Sequence, residues 1–236
     1  MNRYSLAVPA LLAAFAVLAV DAAPARAEAR QVTVSGTALQ DYLNSVGESI
    51  NVGADQVENA QRWKTTISGN SAMTLMIEMA GDANGNSLGV YNAGDVSPAL
   101  FEIFPGVAVA GQFAMASFRS VTHQLIVTLF NADGTSASGP TPYGGVTTDN
   151  FGYYIHNAQV GTGFSQDARN AGDLARMLVF KGTNDNAGNW WMCFEDGISQ
   201  NLVDNRDFGD AILFVESINP TPVTHTSWGS LKSRFR

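Results

Sequence analysis

The sequence predicts an all-β fold, a jelly-roll-like β-sandwich with a short N-terminal helical segment, and three observations carry that prediction. Eight short apolar runs follow one another between residues 73 and 218. Clusters of Gly, Asn and Asp punctuate them. Only one earlier stretch, around Leu39, repeats its apolar residues at helical spacing.

Met1, Asn2 and Arg3 stand ahead of an apolar run from Leu6 to Val20 that closes on Ala25-Arg26-Ala27. A positive start, a short apolar middle and a small-residue end define a secretory signal peptide, assigned here to residues 1–27. The run is shorter than the roughly 20 residues that cross a bilayer as a helix, and no later segment is apolar enough, so no transmembrane segment is expected. The expected location is therefore secreted, extracellular or at the cell surface, with the periplasm as a further compartment.

Residues 28–65 form an N-terminal segment. Val32 and Val34 alternate like a short strand between Gln31 and Ser35, and after Thr37 the positions Leu39, Tyr42, Leu43, Val46 and Ile50 share a helical face. That face needs a partner, either the sandwich core or a surface that it caps. Residues 66–218 hold the sandwich, with strands expected at 73–79, 88–91, 112–118, 124–130, 151–156, 174–180, 190–194 and 211–218. Asp82 to Asn86, Asn131 to Gly134 and Asn184 to Gly188 are rich in residues that form Asx turns or tolerate positive φ. Ala211, Leu213 and Val215 alternate with Ile212 and Phe214, so this strand is apolar on both faces and belongs inside a sheet. The stretch from Gly134 to Asn150, with Pro140, Pro142 and Gly144-Gly145, is expected as a surface loop, either bordering a binding site or a tolerated insertion. Residues 219–236 make a basic and aromatic tail. In it Trp228, Leu231 and Phe235 share helical spacing among Lys232, Arg234 and Arg236, and the expected roles are docking on its own domain, contact with a partner or envelope surface, or fraying.

Charge narrows the partners. The chain carries a formal net charge of −8, and loss of Arg3, Arg26 and Asp21 with the leader leaves 11 basic against 20 acidic residues. No nucleic acid is expected, since phosphates demand a basic face; cations and neutral glycans suit an acidic surface. Cys193 is the single cysteine, so packing or bound ions must replace disulfides in an oxidising compartment.

The richest segment runs from Trp190 to Ile218. Glu195 and Asp196 follow one apolar run, and Asp204, Asp207 and Asp210 precede the next. If the two runs pair, these carboxylates converge and their repulsion must be relieved. Calcium does that well, because it accepts six to eight oxygen ligands in flexible geometry. Pairing with Arg206 and backbone amides is the alternative.

Phe194-Glu195-Asp196 followed by Arg206-Asp207-Phe208-Gly209-Asp210 and an apolar strand resembles the C-terminal signature of the domain-of-unknown-function family 4114, found in secreted and cell-surface bacterial proteins. The resemblance extends through Asn86-Ser87-Leu88-Gly89-Val90-Tyr91 and Asn150 to Tyr154, covering roughly residues 66–218. It implies a β-rich domain and calcium binding, with Glu195, Asp196, Asp207 and Asp210 as ligand candidates; Asp204 is a local addition and Asn86 a residue able to reach the site. Gly209 stands where the family usually has Asn, and Asn205 where it often has Asp, which removes or weakens two oxygen donors.

Other chemistry is thinly represented. The three histidines His123, His156 and His225 lack zinc-enzyme spacing, no nucleophile elbow occurs, and Cys193 sits inside an apolar run as a core residue would. Tyr143 in the expected loop and Tyr153, on a strand where it and Tyr154 point to opposite faces, are the candidates for ligand binding. The reading is a non-catalytic secreted module, calcium-stabilised, for adhesion, matrix assembly or interaction with an envelope protein. A carbohydrate-binding protein and a secreted polysaccharide hydrolase are the alternatives.

Overall fold

A computed structural model describes residues 31–67, 69–77, 85–197 and 206–221. The expected signal peptide, Asp204, Asn205, the Asp82–Asn84 part of the first turn and the tail beyond Thr221 lie outside the described residues.

One helix, α1 (Ala38–Ser45), precedes the strands, and Thr37 Oγ1 donates to Asp41 Oδ2 at 2.8 Å across its first turn. The strands are β1 (Trp63–Thr65), β2 (Asn70–Ile77), β3 (Asn86–Asn92), β4 (Leu100–Phe104), β5 (Phe113–Arg119), β6 (Gln124–Phe130), β7 (Ser136–Gly144), β8 (Phe151–Asn157), β9 (Gly161–Phe164), β10 (Met177–Lys181), β11 (Trp190–Phe194), β12 (Ala211–Val215) and β13 (Ile218–Pro220). They build two antiparallel sheets, one in the order β13-β1-β8-β3-β4 with β9 also on β8, the other in the order β10-β11-β12-β2-β5-β6-β7. The all-β sandwich expected from punctuation and alternation is therefore the fold. The main core fills the space between the sheets with Trp63, Met73, Val90, Phe104, Phe118, Leu125, Phe151, Trp190, Phe194 and Leu213, all buried. A fully buried side chain of this size contributes about 1.5–3 kcal/mol.

The two-faced pattern of β12 has a direct cause. Its second face, with those of β10 and β11, is covered by the N-terminal segment: Val32, Leu39, Leu43, Ile50 and Val52 pack on Leu178, Phe180, Trp191, Cys193 and Ile212. The segment is thus a cap on the outside of the sheet as far as Val52, after which the chain enters the sandwich through β1. Buried polar side chains hold the cap. Gln56 accepts from Val32 N–H at 2.9 Å and donates to Val32 and Val52 carbonyls at 2.8 and 3.0 Å. Glu48 accepts from Thr183 N–H at 2.6 Å, Asn186 Nδ2 at 2.7 Å and Trp191 Nε1 at 2.7 Å, and from Thr183 Oγ1.

Several expected boundaries are corrected. Residues 31–35 form no strand; Val32 N–H goes to Gln56, and Ser35 N–H to the Arg206 carbonyl at 3.0 Å. The expected loop at 134–150 contains β7, a nine-residue edge strand exposed along almost its whole length. Edge position explains its composition: Pro140 and Pro142 cannot donate to a ladder, and only an edge strand tolerates them. The run 211–218 divides into β12 and β13, because Ser217 turns at φ 59° and sends the chain to the other sheet, where Ile218 pairs with Thr65. β1 lies wholly before the boundary drawn at residue 65 and β13 runs past the one drawn at 218, so the sandwich extends beyond 66–218 at both ends. On the outer face of the first sheet, Tyr154 pairs with Gly89 and Tyr91 with Gly152. A Cβ on Gly152 would lie 2.4 Å from the Tyr91 ring, so only glycine admits the ring flat on the strand. Among the described residues no helix is long and apolar enough to cross a membrane.

Candidate metal centre

β11 and β12 pair antiparallel with Phe194 opposite Ala211, so the residues that leave one strand and enter the other meet at the same end of the sheet. Glu195 and Asp196 follow Phe194, and Asp210 precedes Ala211. Each offers a carboxylate oxygen within 4.8 Å of the others, and the three are only 1, 8 and 5 % exposed.

Backbone and amide donors aim the carboxylates. Asp196 N–H donates to Asp210 Oδ2 at 2.7 Å, closing the two loops on each other. Asn86, the first residue of β3, donates its side-chain amide to Asp196 Oδ2 at 2.9 Å, and its own oxygen accepts from Asn157 at 2.9 Å. Asn86 and Asn157 face each other because β3 and β8 pair in that register. The site therefore ties the two sheets together, with carboxylates from one and an amide pair from the other. Gly197 and Phe208 N–H groups reach Glu195 at 3.3 and 3.4 Å.

The approach to Asp210 is shaped by Phe208. Arg206 and Phe208 have φ of 49° and 54°, an unusual conformation for side chains of their size, and Phe208 is completely buried in the core beneath the cap. Burial of that ring holds the loop against the sheet and places Asp210 beside Glu195. Burial, then the neighbouring Glu195 charge, pushes the Asp210 carboxyl far above the ordinary carboxylate range. Repulsion among carboxylates this close is relieved by a proton, by a bound cation or by a cationic side chain, and the Arg176 guanidinium lies nearby against Gly197. The donor set is entirely oxygen, which suits calcium or magnesium and not zinc. Among the described residues no imidazole or thiolate belongs to the cluster.

Of the residues expected at the site, Glu195, Asp196 and Asp210 come together, and Asn86 reaches them through Asp196. Asp207 stands apart from the trio: its Oδ1 accepts from Gly209 N–H at 2.8 Å, a turn-forming role. Asp204 lies outside the described residues. Asn157 and Phe208 belong to the architecture of the site without having been read as part of it. Asn157 had no local signal, since only the β3–β8 register brings it near. Phe208 did have one, as the single apolar residue in the acidic stretch 204–210. Arg176 adds a third: its carbonyl accepts from Glu195 N–H at 3.1 Å, and its guanidinium lies against Gly197, where a Cβ would come within 2.5 Å of Nη1.

The two ligand-binding tyrosines are corrected. Tyr153 is fully buried, its ring edge-on to Trp63 at 6.0 Å and to Phe151 at 5.7 Å. It points into the sandwich because its neighbours on that face of β8 are core residues. Tyr154 points the other way but is covered as well, lying over Gly89. Tyr143 is half-buried on β7, not on a loop, with its ring edge-on to Phe101 at 5.9 Å, and it packs on the core rather than standing free as a platform. Cys193 sits buried beneath the cap, and burial raises its thiol far above its ordinary value, which keeps it an unreactive packing residue.

No family model matches the chain, and no curated protein or solved structure does either. The likeness to the domain-of-unknown-function family 4114 accordingly rests on the motif residues alone.

Proposed function

We propose that the chain is an exported, non-catalytic module of the cell surface or extracellular space. In this reading a calcium ion among Glu195, Asp196 and Asp210 pins its sandwich, and its task is adhesion, matrix assembly or docking to an envelope protein or glycan. The observation that carries it is the convergence of three buried carboxylates, one of which holds its proton far above the usual range. A cation displaces that proton and repays the cost of burial. Calcium would be held by the carboxylates of the two loops, with the Asn86–Asn157 pair fixing the orientation of Asp196. The leader and the acidic charge balance support the address, and the calcium-binding expectation of the family resemblance supports the ion. The glycan-binding alternative has less support, since Tyr153 is fully buried and Tyr143 is half-buried against the core.

The test is thermal unfolding of the mature chain in EDTA and in calcium, repeated on Glu195→Gln/Asp210→Asn. A site of extracellular strength, with Kd of about 0.1–1 mM, stabilises by about 0.4–1.4 kcal/mol at ~1 mM calcium. At roughly 2–4 °C per kcal/mol for a chain of this size the midpoint rises by about 1–6 °C. The double substitution abolishes the rise and leaves the chain insensitive to EDTA. An identical midpoint in EDTA and in ~10 mM calcium would sink the metal reading.

A further inference from the structure

The outer face of the larger sheet carries an aromatic row only half of which is covered. Phe180, Trp191, Phe214, Thr74, Phe113 and Phe130 fall in register across β10, β11, β12, β2, β5 and β6. The N-terminal cap buries Phe180 and Trp191. Beyond it Phe214 is half-buried, Phe113 and Phe130 stack on each other at 4.9 Å and stay half-buried, and Met115 beside them is 39 % exposed. Where the cap ends, Val46, Asn186, Trp191 and Phe214 line a pocket of about 180 Å³, the size of one large aromatic side chain. The pocket beside Phe214 and, two strands further on, the Phe113, Met115 and Phe130 group leave apolar surface uncovered on the same face of the sheet, and such surface marks a docking site.

We infer that the occupant is this chain's own C-terminal segment, residues 222–236, with Trp228 in the pocket and Leu231 and Phe235 along the Phe113–Phe130 row. Three observations select it. The described chain ends at Thr221, held by its N–H on the Arg62 carbonyl at 2.7 Å, and the seven steps to Trp228 reach up to about 25 Å when extended. Trp228, Leu231 and Phe235 share one side at helical spacing, the same kind of face that α1 uses through Leu39 and Leu43 on the adjoining half of the sheet. Lys232, Arg234 and Arg236 bring positive charge to a chain of net charge −8, and Asp185 and Glu216, one and two residues along the chain from the lining residues Asn186 and Phe214, are acids able to receive it. A second copy is the weaker candidate, because two strongly acidic surfaces repel.

Met115 supplies the measurement. Methionine oxidation follows exposure, so a docked tail slows peroxide oxidation of Met115 by at least about five-fold relative to a chain ending at Thr221, read by peptide mass spectrometry. Met177 and Met192, buried in the core, stay unoxidised and certify that each variant is folded. Trp228→Ser in the full-length mature chain reproduces the faster oxidation and carries the test alone if the truncated chain does not fold. Oxidation of Met115 at the same rate in the mature chain and in Trp228→Ser overturns the inference. So does protection that grows with protein concentration, which would assign the face to a second copy.

Discussion

Replacing Glu48 by alanine should detach the N-terminal cap from the sandwich. The carboxylate accepts four bonds: two from Thr183, one from Asn186 and one from the Trp191 indole. Trp191 is 1 % exposed, so its N–H is stranded without water when Glu48 is removed, at about 1–3 kcal/mol. Thr183 and Asn186 lie nearer the surface and recover part of their bonding from solvent. The whole loss should therefore come to about 2–4 kcal/mol, the stranded indole together with a partial loss at Thr183 and Asn186. In a thermal melt this lowers the midpoint by roughly 4–16 °C. A pH series supplies the control. Burial opposes the Glu48 charge, but the bonds from Thr183, Trp191 and Asn186 outweigh it and hold the carboxyl below its ordinary value. A carboxyl lowered by folding stabilises fully above its unfolded pKa of about 4.3 and loses that contribution as pH falls through the lower folded value. The gap between the parent and Glu48→Ala in urea midpoint should accordingly be constant from neutral pH down to about 5 and shrink below about 4. A gap under about 1 kcal/mol at neutral pH would refute the reasoning, since it would mean that the cap is held by apolar contact alone.

Two further outcomes follow from the carboxylate cluster and the core. Folding raises the Asp210 carboxyl, so without calcium the native state holds a proton that the unfolded chain releases near pH 4; stability should fall as pH climbs from there through neutrality, and either saturating calcium or Glu195→Gln should flatten the decline in a pH series of urea midpoints. Tyr153 Oη is buried with no hydrogen-bond partner among the described residues, so Tyr153→Phe should leave stability unchanged or raise it by up to about 1 kcal/mol, and a loss above about 1 kcal/mol would show that the hydroxyl has a partner after all.

The strands that were legible in the chain are those whose pattern is local. Leu125, Val127 and Leu129 alternate with half-exposed residues in β6, and turn residues bracket it, so period and punctuation agreed. β7 carried no such pattern, because an exposed edge strand buries neither face. The carboxylate cluster was legible for a similar reason. Glu195, Asp196 and Asp210 are close in sequence, and a hairpin between their flanking strands suffices to bring them together. Asp207 carried the same local signal but does not belong to the trio, its Oδ1 accepting from Gly209 N–H, a difference of loop geometry that composition does not encode.

By itself, then, the sequence determined the class of fold, the place of β12 inside its sheet, the helical face after Thr37 and the end of the sandwich where acids gather. Each of these depends on residues a few positions apart, whose periodicity and turn chemistry act before any distant contact forms. Only the tertiary structure decided that the helical face caps the outside of the sheet, that Tyr153 points inward, and that Asn86 and Asn157 orient Asp196 from the opposite sheet. Those outcomes depend on strand register across more than 100 residues of chain, such as the 110 that separate Asn86 from Asp196. A shift of one residue in that pairing would turn every side chain to the other face.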